Sequence, residues 1–321
     1  MASAEAVAAV VEAGGAHVPA LMRELEARLA ALAASHGRVL GEHAGATIAA
    51  GGKRLRPLLV FVSAGPAGRD LALRSAVAVE LVHSATLVHD DVLDAAVLRR
   101  GRPTVVAAGG RAVATATGDL LFSRAFAELA GGGSTEAVRL LSDASSALVQ
   151  GELLQREDAW NLGTTRERYL RRCDLKTARL FDAACRLGAL AGGGNVELLG
   201  EFGRRIGLAF QLLDDVLDVS GPAERTGKHR GTDLLDGTVT LPLIIARERS
   251  PALGGLDLRA VRTPEQAETA CDAIAATGAL EAARADALAM VAEAKADLPA
   301  LPETQQAALE LVADGVVDRY S

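Results

Sequence analysis

The chain has 321 residues, half of them hydrophobic but only 3% aromatic, and a formal net charge of −7 at neutral pH. That acidic balance excludes a general nucleic-acid surface, which needs a clear basic excess. Three cysteines without CxxC spacing or neighbouring ligand histidines argue against a disulfide framework or a zinc site and point to reduced thiols in the cytoplasm.

The N-terminal stretch MASAEAVAAVVEAGG has an early glutamate and no basic cluster, so it does not read as a secretory signal. No window approaches the ~20 uninterrupted apolar residues of a membrane span, and no transmembrane segment is expected. Apolar spacing of three and four recurs along almost the whole chain, and alternating strand patterns are nearly absent. Breaks at GPAGRD (65–70), GGGST (131–135), AGGGN (191–195), SGPAERTGKHRG (220–231) and RERSPALGG (247–255) separate helices expected at about 70–94, 112–130, 134–158, 164–187 and 195–219. The pattern predicts one all-α domain over residues 1–321. The helices at 70–94 and 195–219, apolar nearly all round, should lie at its centre.

Each of these two helices ends in the pentapeptide DDVLD, at 90–94 and 214–218. Residues i, i+1 and i+4 of a helix project within an arc of about 100°, so Asp90, Asp91 and Asp94 share a face, as do Asp214, Asp215 and Asp218. Buried carboxylates cost several kcal/mol each unless something cationic meets them. Hard oxygen donors of this kind suit Mg²⁺, which bridges carboxylates to substrate phosphates. Arg99 and Arg100 follow about one turn later, where guanidinium groups could grip phosphate oxygens. Upstream, GGKRLRP (51–57) places Lys53 and Arg56 three apart on one helix face, beside glycines that let backbone amides approach an anion. Taken singly, a DDxxD is an ordinary solvated face and a GGK an ordinary loop.

As an ordered set, GGKRLRP, LVHSATLVHDDVLDAAVLRRGRPT, LKTA (175–178), FQLLDDVLD and GKHRGTDLLDGTVTLP (227–242) resemble the motifs of trans-isoprenyl (polyprenyl) diphosphate synthases. The resemblance implies a helical bundle around a central cavity, usually a homodimer, that joins isopentenyl diphosphate head-to-tail to an allylic diphosphate, farnesyl or geranylgeranyl. By the same resemblance, Asp90, Asp91, Asp94, Asp214, Asp215 and Asp218 hold three Mg²⁺ that clamp the allylic diphosphate, with Arg99, Lys176 and Lys228 around it. Isopentenyl diphosphate would rest on Lys53, Arg56, Arg100 and His83. Thr177 and Gln211 would face the allylic cation, and closure of the 220–231 loop would exclude water. One departure is Thr238 in DLLDGTVTLP, where many members of that family carry lysine.

The growing tail is expected to pass Thr86 and Ala85, the residues four and five before Asp90, and then Val82. Short-chain members usually have bulky aromatics at the first two positions. One helical turn rises about 5.4 Å, close to one isoprene unit, so small residues here predict a product longer than C20. Phe122 or Phe126 could instead form a floor and give a C15–C20 enzyme. A terpene cyclase needs an aromatic pocket, but the chain has one Trp, two Tyr and six Phe, and it would leave Lys53, Arg56 and Arg100 without purpose. A noncatalytic partner subunit of a heteromeric synthase would be expected to lose aspartates, and all six are present.

Overall fold

Glycine clusters interrupt a sequence otherwise suited to helix, and the fold follows that punctuation. The computed structural model describes residues 4–35, 37–49, 52–99, 101–221 and 230–318. Its first part runs α1 (Ala4–Ala13), α2 (His17–Ala34), α3 (Arg38–Ala49), α4 (Leu55–Ala64) and α5 (Arg69–Leu93). A hairpin of two short strands, β1 (Leu98–Arg99) and β2 (Arg102–Pro103), leads to α6 (Val105–Ala130). Then come α7 (Thr135–Asp158), α8 (Arg166–Cys173), a π-helical turn at Asp174–Ala178, α9 (Arg179–Gly192) and α10 (Val196–Ser220). The C-terminal part holds α11 (Thr232–Leu235), α12 (Leu241–Arg249), α13 (Pro251–Gly254), α14 (Pro264–Ala275), α15 (Ala279–Ala296) and α16 (Glu303–Asp318).

Polar residues at the breaks start the helices. Thr104 Oγ1 accepts from Ala107 N (3.1 Å), Ser134 Oγ from Ala137 N (3.2 Å) and Asn195 Oδ1 from Leu198 N (3.0 Å), each cap being worth about 1 kcal/mol. Within α6 the backbone of Gly110 leaves the helical region (φ 78°, ψ 170°), so the regular helix begins close to the expected residue 112.

The α5 helix is the axis of the molecule. Leu73, Val77, Leu81, Val82 and Val88 are buried around its circumference, and α4, α6 and α9 pack against it. By length and composition alone this 25-residue helix could cross a membrane, with a mean hydropathy of 1.4 in its most apolar window. Since 72% of that window is buried inside the fold, its apolarity is that of a core helix.

Two local features depart from the sequence reading. The 164–187 stretch is not one helix: five residues, DLKTA, form the wide π turn between α8 and α9. The segment after the first DDVLD, to which the sequence reading assigned no element, is a hairpin with Leu98 paired to Pro103 and Arg99 to Arg102.

Candidate active site

The last turn of α5 carries the first motif. Asp91 is buried, Asp90 half-buried, and Asp94 exposed as the helix C-cap, its N–H donating to Asp90 O at 2.8 Å. Because the chain turns back through the hairpin, Arg99 approaches from outside the helix and donates to Asp91 Oδ1 through Nε (2.9 Å) and Nη2 (2.8 Å). Asp94 receives Arg156 Nη2 from α7 at 2.6 Å, while Arg156 Nε holds Glu152 at 2.7 Å. Burial pushes the Asp90 carboxyl up to about 6, against the pull of Lys176 and with a further push from Glu152 and Asp94. The three aspartates share a face, as expected, but each meets a different cation.

On α10 the middle carboxylate of the second motif is met by neutral donors. Asp215 is buried, and both of its oxygens accept: Oδ2 from the Tyr169 hydroxyl (2.7 Å) and Oδ1 from Gln211 Nε2 (2.8 Å). Burial pushes its carboxyl up to about 7, although both hydrogen bonds oppose that shift. Asp218 Oδ2 accepts from Asp233 N at 3.2 Å, and its main-chain oxygen from Gly231 N at 2.9 Å. Asp214 is half-buried.

The π turn joins the two motifs. Lys176 donates to the Glu152 carboxylate and to Gln155 Oε1 (3.1 Å) on α7, and its charge reaches Asp90. Its neighbour Thr177 donates to Gln211 Oε1 at 2.7 Å, and Gln211 in turn holds Asp215. Sequence reasoning missed Tyr169, Glu152, Gln155 and Arg156. The signal for the last three was legible, since spacings of three and four put 152, 155 and 156 on one face of GELLQRED. Tyr169 carries no such signal.

In the basic loop the sequence expectation is corrected. Helix α4 begins only at Leu55, after Arg54 in the left-handed region (φ 49°, ψ 34°), so exposed Lys53 precedes the helix and does not share a helix face with Arg56. Strain at a non-glycine residue there persists only when side-chain bonds enforce it. Buried Arg54 donates to Glu26 through Nε (2.7 Å) and Nη2 (3.2 Å), to Glu80 through Nη1 (2.5 Å) and to Ile48 O (2.9 Å). Arg56 lies over the Phe181 ring at 4.5 Å. Its buried Nε has no hydrogen-bond partner among the described residues, and burial pulls the guanidinium down to about 10. An orphaned donor in a cationic loop fits an anion. Half-buried His83 lies on α5. Arg100, Lys228 and most of the 220–231 loop lie outside the described residues.

Comparison with known proteins gives this geometry a family. The sequence profile described as polyprenyl synthetase matches residues 38–276. Geranylgeranyl diphosphate synthase of Methanosarcina mazei is 38% identical over 282 residues, 84% of this chain and 86% of that one. This chain belongs to the polyprenyl synthetase family. Component 2 of the heptaprenyl diphosphate synthase of Geobacillus stearothermophilus is 44% identical over 212 residues, 64% of this synthetase and 66% of its own length. The crystal structure of a polyprenyl synthase from Caulobacter crescentus, complexed with calcium and isoprenyl diphosphate, superposes with a TM-score of 0.84 at 35% identity, covering 99% of this chain and 98% of that one. The synthetase is thus an all-α prenyltransferase enzyme of that family.

Along α5 the synthetase presents two different surfaces. Ala85 and Val82 have no exposed surface, and Thr86, whose Oγ1 donates to His83 O at 2.8 Å, is half-buried. Phe122 and Phe126 of α6 are also half-buried, and the Phe122 ring stacks on His89 with centroids 5.8 Å apart. Among the described residues no three His, Cys, Asp or Glu side chains sit close enough to hold a metal ion by themselves. Mg²⁺ does not require that, because it is usually bound by one or two carboxylates and completed by substrate phosphates and water.

Proposed function

We propose that this synthetase condenses isopentenyl diphosphate head-to-tail with farnesyl or geranylgeranyl diphosphate to give a polyprenyl diphosphate longer than C20. The observation that carries the reading is the single wide turn at 174–178, from which Lys176 addresses the first aspartate motif and Thr177 the second. An allylic diphosphate between the motifs would meet Lys176, with Arg99 and Lys228 as further cations.

The carboxylates fit Mg²⁺. Asp90, Asp94, Asp214 and Asp218 are half-buried or exposed at the ends of their helices, and Asp90 is desolvated enough to be raised to about 6. These four would hold the ions, three by the family resemblance. Asp91 and Asp215, buried and hydrogen-bonded from behind, would orient them and complete the negative field. When bound, Mg²⁺ neutralises the diphosphate and acts as a Lewis acid on the leaving group.

The chain's own residues supply the rest. Glu152 and Gln155 fix the Lys176 ammonium, so its charge is preorganised where negative charge develops on the departing group. The Thr177 hydroxyl commits its proton to Gln211, which leaves oxygen lone pairs for the allylic cation. Lys53, Arg56 and Arg100, with His83, would bind isopentenyl diphosphate through the orphaned Arg56 donor and its neighbours. The isopentenyl double bond then attacks the allylic carbon, and the released diphosphate takes the proton.

Small side chains at Ala85, Thr86 and Val82 support the long product. The tail would enter at half-buried Thr86 and part the packed surface at Ala85 and Val82. We further propose a single domain acting as a cytoplasmic homodimer. Three buried free cysteines, all pushed up to about 12 and so unreactive, agree with a reducing compartment. Leu93, Val97, Leu98, Val149 and Leu153 leave large apolar side chains exposed on α5, the link to β1, β1 itself and α7, which suits an interface between copies.

The test is incubation of purified protein with Mg²⁺, labelled isopentenyl diphosphate and each allylic primer, followed by chromatography of dephosphorylated products. A ladder ending above C20 is expected. Products stopping at C15–C20 would refute the long-chain assignment and keep the reaction. One relative's description as a component of a heptaprenyl synthase favours a second reading, a subunit that works only in a heteromer. No incorporation with any primer would support it.

A further inference from the structure

Five residues of this chain depart from ordinary helix geometry at the one place where both motifs meet. In the turn Asp174–Ala178 the Arg179 N–H donates to Asp174 O, one residue further back than an α-helix allows. A π turn is less stable than the α-helix on either side and tends to occur at functional sites. Something must therefore hold it.

Three contacts do so, each from a different direction. On α7, Gly151 lies so close to the turn that a Cβ there would sit 2.5 Å from Lys176 N and 2.8 Å from Lys176 Cα. On α10, a Cβ on Gly207 would lie 2.7 Å from Ala178 Cα. Asp174, buried, forms the third: Oδ1 accepts from Arg204 Nε of α10 (2.6 Å) and Oδ2 from Arg179 Nε (3.1 Å). Arg179 thus closes the wide turn through both its main chain and its side chain. None of these three groups bonds directly to the aspartate motifs; the residues they immobilise act on them, Lys176 through its charge on Asp90 and Thr177 through Gln211 on Asp215.

We propose that Asp174, braced by Arg204 and seated between Gly151 and Gly207, is a positioning residue that keeps the turn π-helical and so lets Lys176 and Thr177 serve opposite motifs at once. This rests on the proposed prenyl transfer and deepens it. Were the turn to relax to α-helix, the residues after it would rotate and shift relative to those before. Lys176 could then keep Glu152, or Thr177 could keep Gln211, but not both. Displacement of a catalytic group by about 1 Å can cost on the order of 100-fold in rate. The isopentenyl site on the α4 loop touches none of the three bracing groups and meets the segment after the turn through Arg56 over the Phe181 ring, so its affinity should change far less than that of the allylic site.

The experiment is steady-state kinetics of Asp174→Asn and Arg204→Gln in the full chain, with Mg²⁺, isopentenyl diphosphate and farnesyl diphosphate. Arg204 is more than a third exposed, so the second variant removes the same brace without opening the core. Asp174→Asn should lower kcat about 10-fold or more and Arg204→Gln about 3-fold. KM for the allylic substrate should rise, and KM for isopentenyl diphosphate should stay within about 2-fold. In a Thr177→Ala background the same changes should cost little further, because a relaxed turn can then keep Lys176 on Glu152 with no Thr177 contact left to lose.

A loss that is additive with Thr177→Ala, or both KM values moving together, would make Asp174 merely structural and overturn the inference. So would kcat within about 2-fold of the parent in both variants. Absence of turnover by the parent protein would instead overturn the functional reading, and the inference with it.

Discussion

At the end of α5, the carboxylates of DDVLD are met by guanidinium groups that come from outside the helix, Arg99 on Asp91 and Arg156 on Asp94. On α10, the same pentapeptide has its middle carboxylate met by a phenol and an amide. The difference follows from the surroundings. Both copies lie at the ends of their helices; after the first the hairpin folds back and brings Arg99 to Asp91, while Asp215 lies beneath α8 and beside the π turn. Among the described residues the guanidinium of Arg99 bonds Asp91 directly, whereas Arg172 acts on Asp215 through its charge alone. The second keeps a desolvated middle carboxylate, raised to about 7. One short sequence thus gives two differently held middle carboxylates, Asp91 on a guanidinium and Asp215 on a phenol and an amide, and the diphosphate would sit between the two motifs as its walls.

The largest expected effect tests whether both walls act on the chemistry. Asp90→Ala and Asp214→Ala should each lower turnover about 1,000-fold or more, since metal-assisted departure of the diphosphate is worth several kcal/mol. If either variant keeps a tenth of the parental incorporation of labelled isopentenyl diphosphate, the walls are not partners in one reaction.

A smaller effect separates the walls by sign. For Asp215 the folded value of about 7 lies above the ordinary 3.8, so the folded state binds the extra proton. Stability from this group is full below about pH 4 and is lost as pH rises through about 7. Asp215→Asn, neutral at every pH, should therefore raise the thermal midpoint by about 2 °C at pH 8 with chelator present, and the gain should vanish near pH 4. Asp91→Asn should lower it at pH 8, because the Arg99 guanidinium loses its carboxylate. Equal shifts in the two variants would remove the distinction drawn above.

The same contrast orients the remaining tests. Only the α5 wall is proposed to guide the tail, so Ala85→Phe should shorten the products by about one or more isoprene units, one unit per turn. An unchanged ladder would move the ruler to α6 and Phe122. The smallest effect is expected beside the second motif. Thr238 N donates to Asp233 O at 2.7 Å, and Asp233 N to Asp218, so Thr238→Lys would add a cation close to the second motif. Turnover should change by no more than about 3-fold. A gain of orders of magnitude would mean that the missing lysine limits this enzyme.

Much of this was legible in residue order. The glycine breaks placed α7 and α10 to within about a residue or two, and the two aspartate triads came from spacing alone. What spacing could not show was the environment of each copy. DDVLD reads the same at 90 and 214, and the difference lies in α8 and the hairpin, which reach the motifs from elsewhere in the chain. The π turn was hidden for a related reason. LKTA is ordinary helix sequence, and only Gly151 and Gly207, distant in the chain, leave room for a wider coil. Lys53 and Arg56 were misplaced because Arg54 stops the helix between them through Glu26 and Glu80, a tertiary cause.

That arginine carries a consequence for how the enzyme can vary. Glu26 lies on α2, before residue 38 where the match to the family profile begins, yet its carboxylate grips Arg54 in the loop proposed to bind isopentenyl diphosphate. The N-terminal helices are therefore not free to drift as packing alone. A substitution at residue 26 would be inherited as a change in substrate affinity, some distance from the residues an active-site inventory would watch.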